Sequence, residues 1–529
     1  MHKGKVFRDE VVPLDLDDRF PPTLREYIPE RDRTRLVDEI IDAMELPDLM
    51  NSYLGGGAPA YHPKMLLKLH IMGLMIGMPS ARKIAIACRY DTRFMYLARK
   101  ATPNHRTIST FRRGHKDLGK QVLKETIRIS MALGLVDLEE ASVDGSKLEA
   151  DVSGKATYSP TRREKEEAKL EAIAKRLSDE ALRIDANEDQ DPDPQGDNEM
   201  PEELTDPEEL TDPEERKRQI AKAMASVKAQ QERNAKAKVI LEETGEETVG
   251  VTDTDSRVMK TKSGNRSAYN CQAAVDAKCQ IIVAACVTQD VNDVKQLGIV
   301  LDEVVENTGQ MPQKVAVDTG YNSEESFAYA EQKGVDAYIA PRPEQITLMD
   351  YEYDAENDLL RGCTEATLGH ELRYYREREH RGHTYQIYRD PKVGKRGTER
   401  WFRDDVAKRF EQLSTMQRKM RTAKGRAVYR KRQYTIEPVF AFIKGPLGTR
   451  RLLLRGMTGA TIQFLLACCC HNICKIAASI PQGNEKWVKT CLEAVKNRLR
   501  RAIQCVYSGQ RRHSGTKITS LDQEFRSAA

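Results

Sequence analysis

The order of apolar segments in the middle of the chain is the feature that most constrains its fold. Residues 267–289, "SAYNCQAAVDAKCQIIVAACVTQ", predict two strands joined by a turn near Asp276 to Lys278. A predicted helix (290–309) and a short apolar strand, "KVAVD" (314–318), come next, and a second helix and strand follow them. A hairpin followed by alternating helices and strands predicts an α/β fold in which helices cover a mixed sheet.

The first 135 residues predict an all-helical region. Short helices are expected behind Ser80 and Asp91, two residue types that commonly cap helices, and another behind Pro103. Three short helices that end in a basic, hydroxyl-rich one resemble a helix-turn-helix DNA reader, whose last helix enters the major groove. A plain helical bundle is the alternative. The candidate DNA contacts on the last helix are Arg106, Thr107, Ser109, Arg112 and Arg113.

Two stretches interrupt the predicted sheet. Residues 152–255 are charged and helix-prone and contain the hexapeptide PEELTD twice in succession, which predicts a solvated, partly disordered arm. Residues 341–405 contain an alternating, aromatic-rich hairpin, "ELRYYREREHRGHTYQIYRD", and predict a small inserted β-subdomain.

The charge of the chain is unevenly distributed. The net charge is +4, from 85 basic and 81 acidic residues. Residues 191–215 hold twelve of the acidic residues and no basic one, so the remainder of the chain carries +16. A chain that is basic outside one acidic linker favours a polyanionic partner, most often nucleic acid.

Cysteine usage and hydropathy indicate a soluble protein of a reducing cytosol. The eleven cysteines follow no disulfide framework, and the first residues lack the apolar run of a signal peptide. The longest apolar stretches fall short of the roughly 18 uninterrupted apolar residues that a membrane span needs. In "CCCHNIC" (468–474) successive side chains of a helix point about 100° apart, so we expect core packing there.

A single acidic residue, Glu437, lies in a strongly basic segment. From Arg418 to Arg455, both included, there are twelve Lys or Arg residues and no other Asp or Glu. Lys444 is two helical turns further along and shares a face with Glu437. Pro438 fits only the first turn of a helix or a kink.

Two aspartates complete a candidate set of three carboxylates. Asp144 in "SVDGS" and Asp318 in "AVDTGY" each follow a predicted strand, where functional groups collect in open α/β sheets, although either alone is an ordinary turn signal. Three clustered carboxylates need cations, and oxygen ligands favour Mg²⁺ or Mn²⁺. Two such ions about 3.5–4 Å apart suit phosphodiester chemistry. Asp253 and Asp255 are reserve carboxylates, and Asp276 is better explained by the hairpin turn.

At these residues the sequence resembles the bacterial insertion-sequence DDE transposases whose third acid lies in a Tyr-Arg-Glu-Lys signature. The resemblance rests on "TISTFRRGH", "SVDGSKLEA", "GNRSAYNCQAAVDAKCQIIVA", "VAVDTGYNSEE" and "YRKRQYTIEPVFAFIK". It implies an RNase H-like core in which Asp144, Asp318 and Glu437 bind two divalent ions. The implied reaction nicks DNA at element ends and joins the freed 3′-hydroxyl to a target.

The same resemblance assigns DNA contacts near the site to Tyr429, Arg432 and Lys444. Four residues separate Arg432 from Glu437, where the family's signature leaves three. Relatives often carry several cysteines before the glutamate. Here a minor alternative is a zinc site formed by Cys363, His370, His380 and His383.

The resemblance also implies a domain order, partners and a location. We expect double-stranded DNA, as terminal inverted repeats and target, to be bound by a homodimer or higher multimer in the cytoplasm, at the nucleoid. The expected order is a helical DNA-binding domain (1–135), the first catalytic strand (136–151), the charged insertion (152–255), the catalytic core (256–340), the β-subdomain (341–405), core helices carrying Glu437 (406–480) and a basic tail (481–529).

Two other functions remain open from the sequence. One is a non-catalytic, domesticated DNA-binding protein in which the nuclease domain only scaffolds. The other is a metal-dependent nuclease that cuts DNA without joining strands.

Overall fold

The protein is described from a computed structural model. The PEELTD repeats and the predicted C-terminal tail lie outside the described residues, as does most of the acidic run. The described residues are 24–30, 32–53, 60–152, 157–158, 167–179, 213–244, 249–250, 252–342, 350–380, 383–391, 399–402 and 406–479.

The N-terminal region is helical, as the apolar spacing predicts. Pro63 begins the long apolar helix α4, where its missing N–H costs no hydrogen bond. The side chain of Asp91 accepts from the Arg93 N–H and that of Asn104 from the Thr107 N–H, so both residues cap the helices that follow them. The helices in the described part of this region are α1 (Leu24–Tyr27), α2 (Arg33–Ala43), α3 (Pro47–Asn51), α4 (Pro63–Met75), α5 (Ala81–Tyr90), α6 (Thr92–Leu97), α7 (His105–Gly114) and α8 (Leu118–Ala132).

The central sheet is mixed, as predicted. Its middle strand, β5, pairs antiparallel with β1, β4 and β6, whereas β1, β7 and β8 run parallel to one another. The strands are β1 (Glu140–Glu149), β2 (Thr157–Tyr158), β3 (Val249–Gly250), β4 (Arg257–Thr261), β5 (Gly264–Asp276), β6 (Ile282–Thr288), β7 (Lys314–Val317) and β8 (Asp336–Ile339).

Helices α11 (Gln296–Thr308) and α12 (Glu324–Lys333) lie between these strands in sequence. Each ends at a glycine with positive φ, Gly309 at 74° and Gly334 at 65°, a backbone conformation that glycine adopts at no steric cost.

The charged insertion leaves and rejoins the sheet at its edge. Its two ends pair as β2 and β3, and β3 continues the sheet through β4. Between them the described residues form helix α9 (167–179) and the 32-residue helix α10 (Pro213–Thr244). The insertion is therefore helical over much of its described length.

The second insertion forms a separate five-stranded antiparallel sheet. The predicted hairpin is confirmed as β11 and β12, with a register shift between Tyr374 and Arg376. The strands are β9 (Tyr351–Asp354), β10 (Leu359–Gly362), β11 (Glu371–His380), β12 (His383–Arg389) and β13 (Arg400–Phe402).

Four further helices among the described residues cover the central sheet. They are α13 (Val406–Arg421), α14 (Ala423–Thr435), α15 (Glu437–Lys444) and α16 (Gly456–Ser479). One core joins the N-terminal helices, α15 and α16 to one face of the sheet; a second core joins α11, α12 and the small sheet to the other face. Side chains alternate between the two faces along β5, with Ala273 in the first core and Ala274 in the second.

Helix α16 is a core helix. Cys468, Cys469 and Cys470 are fully buried in it, which confirms the packing prediction for these cysteines. Within the part of the chain that the structure describes, α16 alone is long and apolar enough to cross a membrane, and 78% of its most apolar window is buried inside the protein.

Candidate active site

The pairing of β1 with β7 brings two of the predicted carboxylates to the same level of the sheet. These parallel neighbours pair Ser142 with Ala316. Two residues further along the chain from this pair lie Asp144, within β1, and Asp318, immediately after β7. Adjacent strands are about 4.8 Å apart, so the backbones that carry the two aspartates are neighbours.

The strand that carries Asp144 is longer than predicted. We expected it to end at the Asp144–Gly145 turn signal, but β1 continues to Glu149. Asp144 pairs there with Ala273 of β5, which supplies the tertiary partner that overrides the local turn preference. By contrast, β7 ends at Val317, and the carboxylate of Asp318 caps a 3₁₀ turn (Thr319–Tyr321) by accepting from the Gly320 N–H at 2.8 Å. Thus Asp144 lies just past the end of its shorter neighbour.

Burial and neighbouring charges perturb the Asp144 carboxyl. Burial is the largest effect, and together with the negative charges of Asp318 and Asp293 it raises the pKa of Asp144 to about 6. The Arg432 guanidinium acts in the opposite direction. The effect of Asp318 on this pKa reflects the closeness of the two carboxylates in space.

Two basic side chains predicted as DNA contacts lie against the Asp144 strand. Arg432 Nη1 of α14 is 3.1 Å from Asp144 Oδ2, and the arginine side chain is 11% exposed. Its guanidinium also lies 5.8 Å from the centre of the Tyr429 ring. Lys444 Nζ donates to the hydroxyl of Ser146, two residues beyond Asp144 on the same face of β1. Burial lowers the pKa of Lys444.

Glu437 is the first residue of α15 and is exposed. Pro438 lies in the first turn of that helix, where proline is tolerated. Five residues before Glu437, Arg432 contacts Asp144; seven residues after it, Lys444 contacts Ser146. Glu437 is therefore in the segment that passes along the Asp144 strand. Among the described residues, however, no three histidine, cysteine or acidic side chains converge closely enough to hold a metal ion.

A fourth carboxylate close to Asp144, that of Asp293, was not predicted from the sequence. We expected Asp293 inside a helix covering 290–309, but α11 begins at Gln296 and Asp293 lies in the loop before it. Its Oδ1 accepts from Lys147 Nζ at 2.9 Å, Asn270 Nδ2 at 2.7 Å and Gln272 Nε2 at 2.6 Å. No residue pattern in "QDVNDVKQ" distinguishes this aspartate from a solvated one.

The reserve carboxylates have structural partners elsewhere. Asp253 Oδ1 accepts from the Tyr269 hydroxyl at 2.7 Å and the Gly456 N–H at 3.1 Å, and Asp255 Oδ2 accepts from the Met457 N–H at 2.8 Å. Both therefore stabilise the start of α16. Asp276 accepts from the Lys278 N–H within the hairpin turn, as the turn interpretation predicts, and also from the Leu138 N–H just before β1.

The candidate DNA contacts of α7 are not all on its surface. Arg106 and Arg113 are exposed and Thr107 and Ser109 are half-buried. Arg112 is only 7% exposed, and one of its guanidinium nitrogens lies 3.4 Å from the Pro79 carbonyl oxygen. Burial lowers the pKa of Arg112 to about 10. The expectation that Arg112 faces DNA is therefore wrong, because this side chain packs inside the helical region.

Two residues of the alternative zinc site, His370 and His380, are engaged in other contacts. His370 Nδ1 is 3.6 Å from Asp390, and the His380 ring packs edge-on against Trp401 at 6.0 Å. Cys363 is exposed. The side chain of His383 lies outside the described part of the structure.

Comparison with known protein families identifies the family of this chain. A family model described as a transposase DDE domain matches residues 244–473, and a second, described as a transposase domain, matches residues 22–114. The chain belongs to the DDE transposases. No curated protein and no solved structure matches it significantly.

Several of the sequence-based expectations are thereby confirmed. The protein is a transposase, an enzyme that cuts and joins DNA, and its mixed sheet is the RNase H-like core of a DDE domain. DNA is its substrate, and enzymes of this family use divalent metal ions. The matched DDE range includes Asp318 and Glu437. It begins after Asp144, so the family match does not cover that residue.

Proposed function

We propose that this transposase cuts DNA at the ends of an insertion sequence and joins the freed 3′-hydroxyl to target DNA with Asp144, Asp318 and Glu437 as its catalytic carboxylates. The observation that carries the proposal is the β1–β7 register, which brings Asp144 level with Asp318. Both side chains are half-buried, and like charges on neighbouring segments oppose folding unless a cation compensates them. Such a pair is therefore more readily explained by ligand binding than by stability.

The three side chains fit a pair of hard divalent cations in their donor chemistry. Carboxylate oxygens without sulfur or imidazole favour Mg²⁺ or Mn²⁺. Asp144 already accepts a cationic partner, Arg432, and Asp318 adds to the negative potential around it. Glu437 would supply the third carboxylate from the exposed first turn of α15. When bound, two such ions supply Lewis-acid stabilisation of the attacking and leaving oxygens.

The basic side chains next to these carboxylates suit a DNA backbone. Arg432 holds a planar guanidinium beside Asp144, and guanidinium groups bind phosphate in a bidentate way. Lys444 reaches the same strand from the end of α15, and Tyr429 lies under the Arg432 guanidinium. In this proposal these three residues orient the scissile phosphate, and Arg432 balances the charge of Asp144 when DNA is absent.

Sequence recognition is assigned to α7. Arg106 and Arg113 are exposed at its two ends, and Thr107 and Ser109 lie between them. Arginines on one short helix suit phosphate and base-edge contacts. We assign residues 1–135 to DNA binding, 136–151, 256–340 and 406–480 to the catalytic core, and the ranges 152–255, 341–405 and 481–529 to the charged insertion, β-subdomain and tail.

Transposition at two ends implies more than one copy of the enzyme. We propose a homodimer or larger multimer that pairs terminal inverted repeats, works in the cytoplasm and associates with the nucleoid when bound to DNA. The basic composition outside the acidic run suits such association with DNA.

Substituting Asp318 by Ala tests the catalytic assignment. The substrate is a labelled DNA fragment that spans the sequences flanking this gene, with Mg²⁺ or Mn²⁺ supplied. We expect cleavage to fall by about 10³-fold, since metal stabilisation is worth several kcal/mol. Binding of the fragment should persist. Cleavage by Asp318→Ala at the unaltered rate would contradict the proposal.

Glu437 has a matched control in the same protein. Glu324, like Glu437, is the exposed first residue of a helix. We expect Glu437→Gln to lose cleavage and Glu324→Gln to retain it. Equal activity of the two variants would remove Glu437 from the proposed set.

A further inference from the structure

The loop before α11 reaches the candidate active site from behind the sheet. Along β1, Asp144 and Ser146 face α14 and α15, where Arg432 and Lys444 contact them. Gly145 and Lys147 face the other way, and Lys147 pairs there with Asp293 at 2.9 Å. Asp293 thus lies on the opposite face of the strand from Asp144, directly behind it.

Two glycines allow Asp293 to approach both aspartate-bearing segments. A Cβ atom at position 145 would lie 2.7 Å from Asp293 Oδ1, and one at position 320 would lie 3.2 Å from Asp293 Oδ2. Gly145 follows Asp144, and Gly320 follows Asp318 by two residues. One carboxylate therefore packs against the backbone next to both predicted catalytic residues.

Hydrogen bonds extend this contact into a network. Gln272 of β5 donates to Asp293 at 2.6 Å and accepts from the hydroxyl of Tyr321, which ends the 3₁₀ turn that Asp318 caps. Both Gln272 and Tyr321 are fully buried. Ser323 also donates to the carbonyl of Val294 at 2.8 Å. The loop before α11 is therefore linked by hydrogen bonds to Tyr321 of the Asp318 turn, through Gln272, and to Ser323 just after that turn.

We infer that Asp293 is a positioning residue that fixes the Asp144 strand relative to the Asp318 turn. This inference rests on the proposed function, because it assumes that these two carboxylates act together. The parallel pairing of β1 and β7 stops at Ser142 and Ala316, before either aspartate. Asp293 connects the two segments beyond that point. A displacement of about 1 Å at such a site can cost about 10²-fold in rate.

The experiment compares Asp293→Ala and Asp293→Asn in the full chain. Asn keeps an acceptor oxygen for Lys147, Asn270 or Gln272, whereas Ala keeps none. Asp290→Asn is the matched control, since Asp290 is exposed in the same loop and accepts from Gln296 at 2.5 Å. Rates are measured in single turnover at saturating DNA, on the fragment that spans the gene's flanking sequences, at a temperature where circular dichroism shows every variant folded.

We expect Asp293→Ala to cleave about 10²-fold more slowly, with DNA affinity within about twofold of the unaltered chain. Asp293→Asn should recover to within about tenfold, and Asp290→Asn should be unaffected. Mn²⁺ binding, measured by electron paramagnetic resonance without DNA, should keep the same number of ions in Asp293→Ala.

Two results would overturn the inference. One is full activity of Asp293→Ala. The other is an Asp293→Asn variant as inactive as Asp318→Ala with fewer bound Mn²⁺ ions, which would make Asp293 a metal ligand. Failure of the proposed function looks different, because Asp318→Ala itself would then remain active.

Discussion

Two aspartate pairs attached to the central sheet have contrasting environments. Asp253 and Asp255 accept hydrogen bonds from the Tyr269 hydroxyl and from two N–H groups at the start of α16. Asp144 accepts from the N–H of its neighbour Gly145, and Asp318 accepts from the Gly320 N–H two residues along. The nearest opposite charge to Asp144 is the Arg432 guanidinium.

The contrast separates a structural carboxylate from a functional candidate. At the start of a helix, unpaired N–H groups and the peptide dipoles stabilise an anion, so folding alone explains Asp253 and Asp255. At the end of β7 the negative charge of Asp318 raises the pKa of Asp144, and this repulsion opposes folding. A cationic ligand would relieve this repulsion. The protein itself places the Arg432 guanidinium beside Asp144.

The largest expected effect is a loss of cleavage, and it distinguishes the Asp144 and Asp318 pair from the Asp253 and Asp255 pair. Asp144→Asn should lower metal-dependent cleavage by about 10³-fold, for the same reason as Asp318→Ala. Its free energy of unfolding should change by less than about 1 kcal/mol, because losing the Arg432 pair and relieving repulsion with Asp318 oppose each other. Urea unfolding and a cleavage assay measure the two quantities.

Asp253→Ala should have the opposite result, a loss of stability without a loss of cleavage. It removes the acceptor of the Tyr269 hydroxyl and the Gly456 N–H, which should lower the free energy of unfolding by about 1–3 kcal/mol. Cleavage per folded molecule should stay unchanged. A catalytic loss in Asp253→Ala matching that of Asp144→Asn would erase the distinction between the pairs.

An effect of intermediate size on the cleavage rate is expected for one of two lysines that contact β1. Lys444 contacts Ser146 near Asp144, while Lys431 pairs with Glu140 at 2.7 Å and is 60% exposed. We expect Lys444→Ala to slow cleavage by tenfold or more, since a charge-assisted hydrogen bond is worth about 1.5–3 kcal/mol. Lys431→Ala should change the rate by less than about threefold, because exposed ion pairs contribute little. Equal losses would show that general charge, rather than position, matters.

The smallest effect concerns the two adjacent arginines of α7. Arg113 is exposed and Arg112 is buried. Arg113→Ala should weaken DNA binding and reduce the slope of log affinity against log salt by about one, as expected for a lost phosphate contact. Arg112→Ala should instead lower stability and leave that slope unchanged. A salt slope that changes only in Arg112→Ala would reverse this assignment.

The mixed sheet and the starts of several helices were predictable because their signals are local. Alternation in "SAYNCQAAVD" fixes which side of β5 meets which core, and the predicted cap Asp91 satisfies a free N–H group of the next helix. Ser80 precedes α5 as predicted, but its side chain makes no capping hydrogen bond. Glycines after α11 and α12 end those helices for a similarly local reason.

What the sequence did not reveal depends on pairing across the fold. Asp144 followed by glycine resembles a turn, yet its partner Ala273 keeps it inside a strand. Arg112 has the composition of a DNA contact, but its position on α7 points it inward against Pro79. Asp293 becomes notable only through Gly145 and Gly320, two positions that the register brings behind the same pair of acids.

Crystals of the full chain grown with Mn²⁺ would show which carboxylates hold the ions, because anomalous difference density locates each ion. We expect density between the carboxylates of Asp144 and Asp318, with Glu437 completing the ligand set and Asp253 and Asp255 still bound to the start of α16. Density at Asp253 and Asp255 with none at Asp144 and Asp318 would contradict this expectation.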